Sequence, residues 1–145
     1  VQAPAWTTYG DESYDKYGFA LHRAGDIDAD GFADVLVGAY LLGTNGDLVH
    51  QPDEGGAYLF SGSPSGLSAL PTWSAFGSKA EAWFGYSLGT AGDIDGDGAD
   101  DVLVGAPNYK FDEKTVVGKA FAYYSQEPGP RFTIFLPLVL NPAGE

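Results

Sequence analysis

Cysteine is missing from the whole of this 145-residue chain, so no disulfide can brace the fold and thiol usage says nothing about compartment. Positive charge is also scarce: seven Lys and Arg stand against 20 Asp and Glu, a formal net charge of −13. Such a surface repels polyanions, which argues against nucleic acid or an anionic membrane as a partner. No apolar run reaches the roughly 20 residues of a helical membrane span. Histidine occurs only at His22 and His50, and neither lies in a nucleophile or metal pattern. Ser61 to Gly66 reads as a loop without the lysine of a phosphate-binding loop. Helical periodicity is absent too, apart from room for a single turn at Ser78 to Trp83. No catalytic set emerges, and the chain is expected not to be an enzyme. What is plentiful is glycine, at 21 residues, together with aromatics, the mixture of a turn-rich β protein.

Two stretches repeat almost word for word at an offset of 67 residues: Gly25 to Ala39 reads GDIDADGFADVLVGA, and Gly92 to Ala106 reads GDIDGDGADDVLVGA. Each sets aspartates at positions 1, 3, 5 and 9 of a turn: Asp26, Asp28, Asp30 and Asp34, then Asp93, Asp95, Asp97 and Asp101. Alternating carboxylates on a sharply folded backbone can converge on one hard cation, which takes six to eight oxygen ligands. Gly31 and Gly98, at position 6, allow the sharp fold because glycine accepts positive φ. Position 7 would add a backbone carbonyl, from Phe32 or Ala99. With no nitrogen or sulfur ligand nearby, zinc and copper are disfavoured and two calcium sites are expected. An EF-hand is ruled out, since position 12 is Val37 or Val104 rather than glutamate. A plain solvated hairpin is the competing reading. Against it, four carboxylates within nine residues repel one another unless a cation intervenes. Asp100, beside Asp101, is expected to face solvent.

The likeness between the copies runs further. Tyr17 to Tyr40 and Phe84 to Pro107 share 15 of 24 residues, Pro4-Ala5-Trp6 pairs with Pro71-Thr72-Trp73, and Gly10 with Gly77. Downstream, Gly55 to Phe60 corresponds to Gly118 to Tyr123 after a connection four residues shorter. A structural repeat of about 65 residues follows. Its periodicity is that of strands: YGFALHRAG or FGYSLGTAG, then Val35-Leu36-Val37 or Val102-Leu103-Val104, apolar on both faces, then Ala57 to Phe60 or Ala120 to Tyr123. Thr72 to Phe76 makes a fourth strand. The expected fold is all-β, two four-stranded antiparallel blades of a propeller, with free-standing sandwich sheets as the alternative.

Phe84-Gly85 (Tyr17-Gly18 in the first copy), the D-x-D-x-D-G-x-x-D loop and Gly105-Ala106-Pro107 (Gly38-Ala39-Tyr40) together resemble the FG-GAP repeat, the blade unit of integrin α-subunit propellers and of many secreted bacterial proteins. The resemblance covers about residues 4 to 125. It implies calcium in the loop between the first two strands of each blade, on the aspartates named above. Tyr17 and Tyr40 depart from the signature Phe and Pro, at positions that affect packing rather than ligands.

Two repeats, about 4–70 and 71–127, are fewer than the roughly seven blades that the resemblance implies for a closed propeller, and repeat units generally need three or more copies for stability. The expected partners are therefore further blades or other copies of the chain, closing a ring or running on as a filament. A cell-surface protein or a glycan is a further candidate. Pro4 to Tyr9 matches a fourth strand and is expected to complete the second blade, in the same chain or the next. After a Pro/Gly break, residues 128–145 carry one apolar strand. Phe132, Ile134, Phe135, Leu136, Leu138, Val139 and Leu140 are the candidate assembly residues, either closing their own sheet or donated to a neighbour. Pro137 removes a ladder donor and assigns that strand to an edge. Trp6, Trp73 and Trp83 could stack on sugar, although aromatics on repeat strands are more often core. With no leader before Val1, a secreted chain would be in its mature form. The expected function is a non-catalytic, calcium-stabilised extracellular adhesion or structural module; the alternative is a ligand- or carbohydrate-binding propeller fragment of a larger hydrolase.

Overall fold

The structure, a computed structural model, describes residues 3–10, 13–43, 52–112 and 114–125, and the backbone of Pro137 and Leu138. Among the described residues eight strands follow in order: β1 (Tyr17–Gly25), β2 (Asp34–Ala39), β3 (Gly56–Phe60), β4 (Trp73–Phe76), β5 (Ser87–Gly92), β6 (Asp101–Ala106), β7 (Lys119–Tyr123) and β8 (Pro137–Leu138). They form two antiparallel meanders, β1-β2-β3-β4 and β5-β6-β7-β8. Among the described residues there is no helix, and Ser78 to Trp83 is a turn rather than the helical turn for which the sequence had room. The strands expected from the sequence are therefore present in both copies, as two blades.

Register explains how the blades meet. Leu36 pairs with Leu59 and Gly38 with Ala57, so Leu36, Ala57 and Leu59 share one face of the first sheet. In the second sheet Val102 pairs with Tyr123 and Val104 with Phe121, on the face opposite in sense. These two sets form one core with Ala24, Ile27, Phe84 and Ala106, and Trp73 and Leu88 pack against it. Trp73 meets Tyr123 edge-on, ring centroids 5.1 Å apart. The packing is thus head-to-tail: the back of one blade lies on the front of the next.

The Phe84-Gly85 dipeptide is the wedge between them. Phe84 is fully buried, edge-on to Phe121 at 5.1 Å, and its N–H donates to the Glu54 carbonyl at 2.9 Å. Gly85 sits at φ 82°, where a Cβ would collide with the Gly56 carbonyl. The equivalent Gly18 has open space around it, with nothing packed where Gly56 meets Gly85. On the front of the first blade, Trp6 packs edge-on against Phe60 at 5.0 Å and donates its indole N–H to the Ser68 carbonyl. The N-terminal segment is therefore not a strand of the second blade, as the sequence suggested for this chain. Trp6 finds its apolar partner on the front of the first, where Phe60 and Val37 are buried.

The second sheet is completed by β8, whose Leu138 pairs with Ala122 and Pro137 with Tyr123, at the edge where Pro137 was expected. Of the candidate assembly residues, Phe132, Ile134, Phe135, Leu136, Val139 and Leu140 lie outside the described residues.

Candidate metal centre

Each acidic loop joins the first two strands of its blade. The strand reaches it through a register shift, between Arg23 and Gly25 in β1 and between Thr90 and Gly92 in β5, with Gly25 and Gly92 at φ 86° and 72°. The loops then coil on their own first aspartate. Asp26 accepts N–H bonds from Asp30 and Gly31, each at 2.9 Å. Asp93 accepts from Gly96, Asp97 and Gly98 at 2.6, 3.0 and 2.9 Å. Gly31 and Gly98 have φ 91° and 96°, as position 6 demands. Position 4 is left-handed as well, filled by Ala29 (φ 54°) in one loop and by glycine, Gly96, in the other.

The ninth-position aspartates are the anchors. Asp34 and Asp101 are completely buried at the head of β2 and β6. Asp34 accepts the N–H of Ile27 at 2.8 Å and that of Gly62 at 2.7 Å. Asp101 accepts the N–H of Ile94 at 2.6 Å and that of Ser125 at 2.8 Å. The residue just past the third strand thus reaches back to the loop in both blades. Gly62 and Ser125 were not singled out from the sequence, although they occupy equivalent places after GGAYLF and GKAFAY.

Carboxylate oxygens of Asp26, Asp28 and Asp34 lie within 4.8 Å of one another, and so do those of Asp93, Asp95 and Asp101. Oxygens bound to one calcium at 2.3–2.6 Å can stand that far apart, and the donor set is all oxygen, so these residues fit calcium. Asp30 and Asp97 fall outside the two groups. Each instead caps the turn, accepting the N–H of Phe32 at 2.8 Å or Ala99 at 2.9 Å. Ala99 is buried and Phe32 is exposed.

Electrostatics agree with a site that wants positive charge. Burial pushes the Asp28 carboxyl above the usual carboxylate range, with Asp30 and Asp26 adding repulsion. Burial likewise raises Asp34. Asp95 is raised by desolvation, then by Asp97 and, more weakly, by Asp101 and Asp93. A cation at the convergence point would relieve this repulsion.

Asp100 does not face solvent. Its carboxylate accepts the N–H of Asp26 at 2.9 Å across the blade boundary, because the bare Gly25 leaves room beside the first loop. The signal for this was the repeat itself, since the counterpart of Asp100 is Ala33. His22 is exposed, with Nδ1 against the Arg23 carbonyl oxygen. Trp83, whose counterpart in the first copy is Lys16, is half-buried among aromatics, 5.9 Å from Tyr40 and stacked on Tyr86.

Residues 84–123, which hold the Phe84-Gly85 wedge, the second acidic loop and β5 to β7, match the FG-GAP repeat. The chain is an FG-GAP repeat protein. Similar proteins include integrin alpha pat-2 of Caenorhabditis elegans, 37% identical over 101 residues, which cover 67% of this chain and 8% of that protein. Integrin alpha-5 of Xenopus laevis is 33% identical over 103 residues, 67% of this chain and 9% of that protein. Integrin alpha-V of Gallus gallus is 34% identical over 140 residues, 92% of this chain and 12% of that protein. The FG-GAP chain therefore spans about a tenth of the length of the relatives it matches. Its two sheets are the blades of that repeat, and no helix among the described residues is long and apolar enough to cross a membrane.

Proposed function

We propose that these two FG-GAP blades are a calcium-stabilised, non-catalytic part of an adhesion-type propeller outside the cell. The observation that carries the reading is the pair of convergent carboxylate groups, each built round a fully buried aspartate that both the loop and the residue just past the third strand hold in place. Calcium would bind Asp26, Asp28 and Asp34 in one loop and Asp93, Asp95 and Asp101 in the other. Asp30, Asp97 and the carbonyls of Phe32 and Ala99 would complete each shell. The bound ion supplies charge neutralisation and cross-links the start of the loop to its end. The chain's own residues supply the turn and the buried anchor. Millimolar extracellular calcium suits loops of this kind.

The partner is a further blade or another copy of this chain. Leu103 is 37% exposed where its counterpart Leu36 is 0% exposed, so the back of the second blade lacks the cover that the first enjoys. A front face like that of β6 and β7 would fit it. A glycan is less favoured, because Trp6 and Trp73 are engaged in packing.

Isothermal titration of the full chain with calcium tests the reading, with two equivalents as the expected result. At a hundred times the dissociation constant, each site would add about 2.7 kcal/mol of stability. Absence of heat, together with a melting temperature indifferent to chelator, would refute it. Light scattering with and without calcium reads the association state, and a strictly monomeric chain would remove self-association.

A further inference from the structure

The contact made by Asp100 joins the two acidic loops to each other. The N–H of Asp26 donates to Oδ2 of Asp100 at 2.9 Å, and the N–H of Asp100 donates to the carbonyl of Asp26 at 2.9 Å. These two bonds clamp the backbone at position 1 of the first loop to position 8 of the second. On one side, the carboxylate of Asp26 is itself held by Asp30 and Gly31 of its own turn. On the other, the next residue is Asp101, buried and tied to Ile94 and Ser125. One peptide unit therefore separates a ninth-position carboxylate of one loop from a bond to the first-position residue of the other.

The clamp has room made for it. Gly25 has no side chain, and a Cβ there would collide with the Asp100 carboxylate, whose own Cβ would lie only 2.8 Å away. At the equivalent Gly92 the nearest such atom is Asp100 Oδ1 at 3.9 Å. Nothing in the repeat requires the arrangement, since the first loop carries Ala33 where the second carries Asp100.

We propose that Asp100 is a positioning residue that couples the two metal loops, so that calcium in either one raises the affinity of the other. The inference rests on the calcium reading above. Ordering the second loop fixes the backbone of Asp100, and with it both bonds to Asp26. The ordering cost of the clamp is then met by the first ion bound and not by the second, which is positive coupling without a change of fold. Linkage makes the effect equal in both directions.

The test is calcium titration by isothermal calorimetry of the intact chain and of four variants. Asp95→Asn disables the second loop and Asp28→Asn the first, giving the affinity of each loop alone. In the intact chain both loops should bind about fivefold or more tightly than they do singly, within the ordinary range of coupling between sites. Asp100→Ala carries the residue that the first loop already accommodates, and should bring that ratio to about one. Asp100→Asn keeps an oxygen to accept the Asp26 N–H and should restore most of it. Should Asp100→Ala not fold, Gly25→Ala displaces the same carboxylate and takes its place. Two independent sites in the intact chain, or a ratio unchanged by Asp100→Ala, would overturn the coupling while leaving the calcium reading intact. A chain that takes up no calcium overturns both.

Discussion

Leu36→Ala and Leu103→Ala alter the same hexapeptide, Asp-Val-Leu-Val-Gly-Ala, in its two settings. Leu36 is wholly enclosed between the blades, whereas Leu103 is 37% exposed on the back of the second. Shortening leucine to alanine removes about 2.4 kcal/mol of transfer free energy when the side chain is fully buried, at roughly 0.8 kcal/mol per methylene. At Leu36 a closed cavity adds to this, for a total of about 3–4 kcal/mol. At Leu103 about two-thirds of the transfer is at stake and solvent fills the gap, leaving about 1.5 kcal/mol. The two substitutions should therefore differ by about 2 kcal/mol. In urea, with a slope of about 1–3 kcal/mol per molar, the unfolding midpoints would differ by roughly 1 M. The assay is equilibrium unfolding in calcium at a protein concentration where the chain is monomeric. Equal midpoint shifts would refute the argument, because local sequence would then fix the energetics and head-to-tail stacking would not.

Two further expectations follow from the loops. Gly25→Ala and Gly92→Ala share the strain of an L residue at positive φ, but only at Gly25 does the new Cβ strike Asp100, so that variant should lose about 1–3 kcal/mol more; thermal or urea unfolding of both would expose equal losses as a contradiction. Without calcium, the raised carboxyls of Asp28, Asp34 and Asp95 hold protons more tightly in the folded chain than in the unfolded one. Their contribution is complete below the ordinary 3.8 and lost as pH rises through the raised values, so the melting temperature should climb as pH falls from neutral, opposed in part by Asp112, which hydrogen bonds from Lys114 and Thr115 hold low. With calcium the slope should reverse, since protons compete for the same oxygens, and parallel slopes in calcium and chelator would count against the site.

What was legible in the sequence is what neighbouring residues enforce on one another. The repeat, the strands and the two acidic turns follow from alternation, from glycine at positive φ and from aspartates spaced to cap their own loop. Identical words fold identically at this scale, as β2 and β6 do. The tertiary structure alone decided which copy of each word is covered. Leu36 and Ile27 are buried while Leu103 and Ile94 are exposed, because a head-to-tail stack gives its two members different neighbours. The same asymmetry turned Trp6 onto the front of the first blade and Asp100 across the boundary onto Asp26. In both loops alike the fold drew the third and ninth aspartates together with the first and left the fifth, Asp30 or Asp97, to cap the turn. Spacing along a chain can propose a ligand, but the direction in which a carboxylate points depends on N–H groups that arrive from the third strand and, for Asp100, from the other blade.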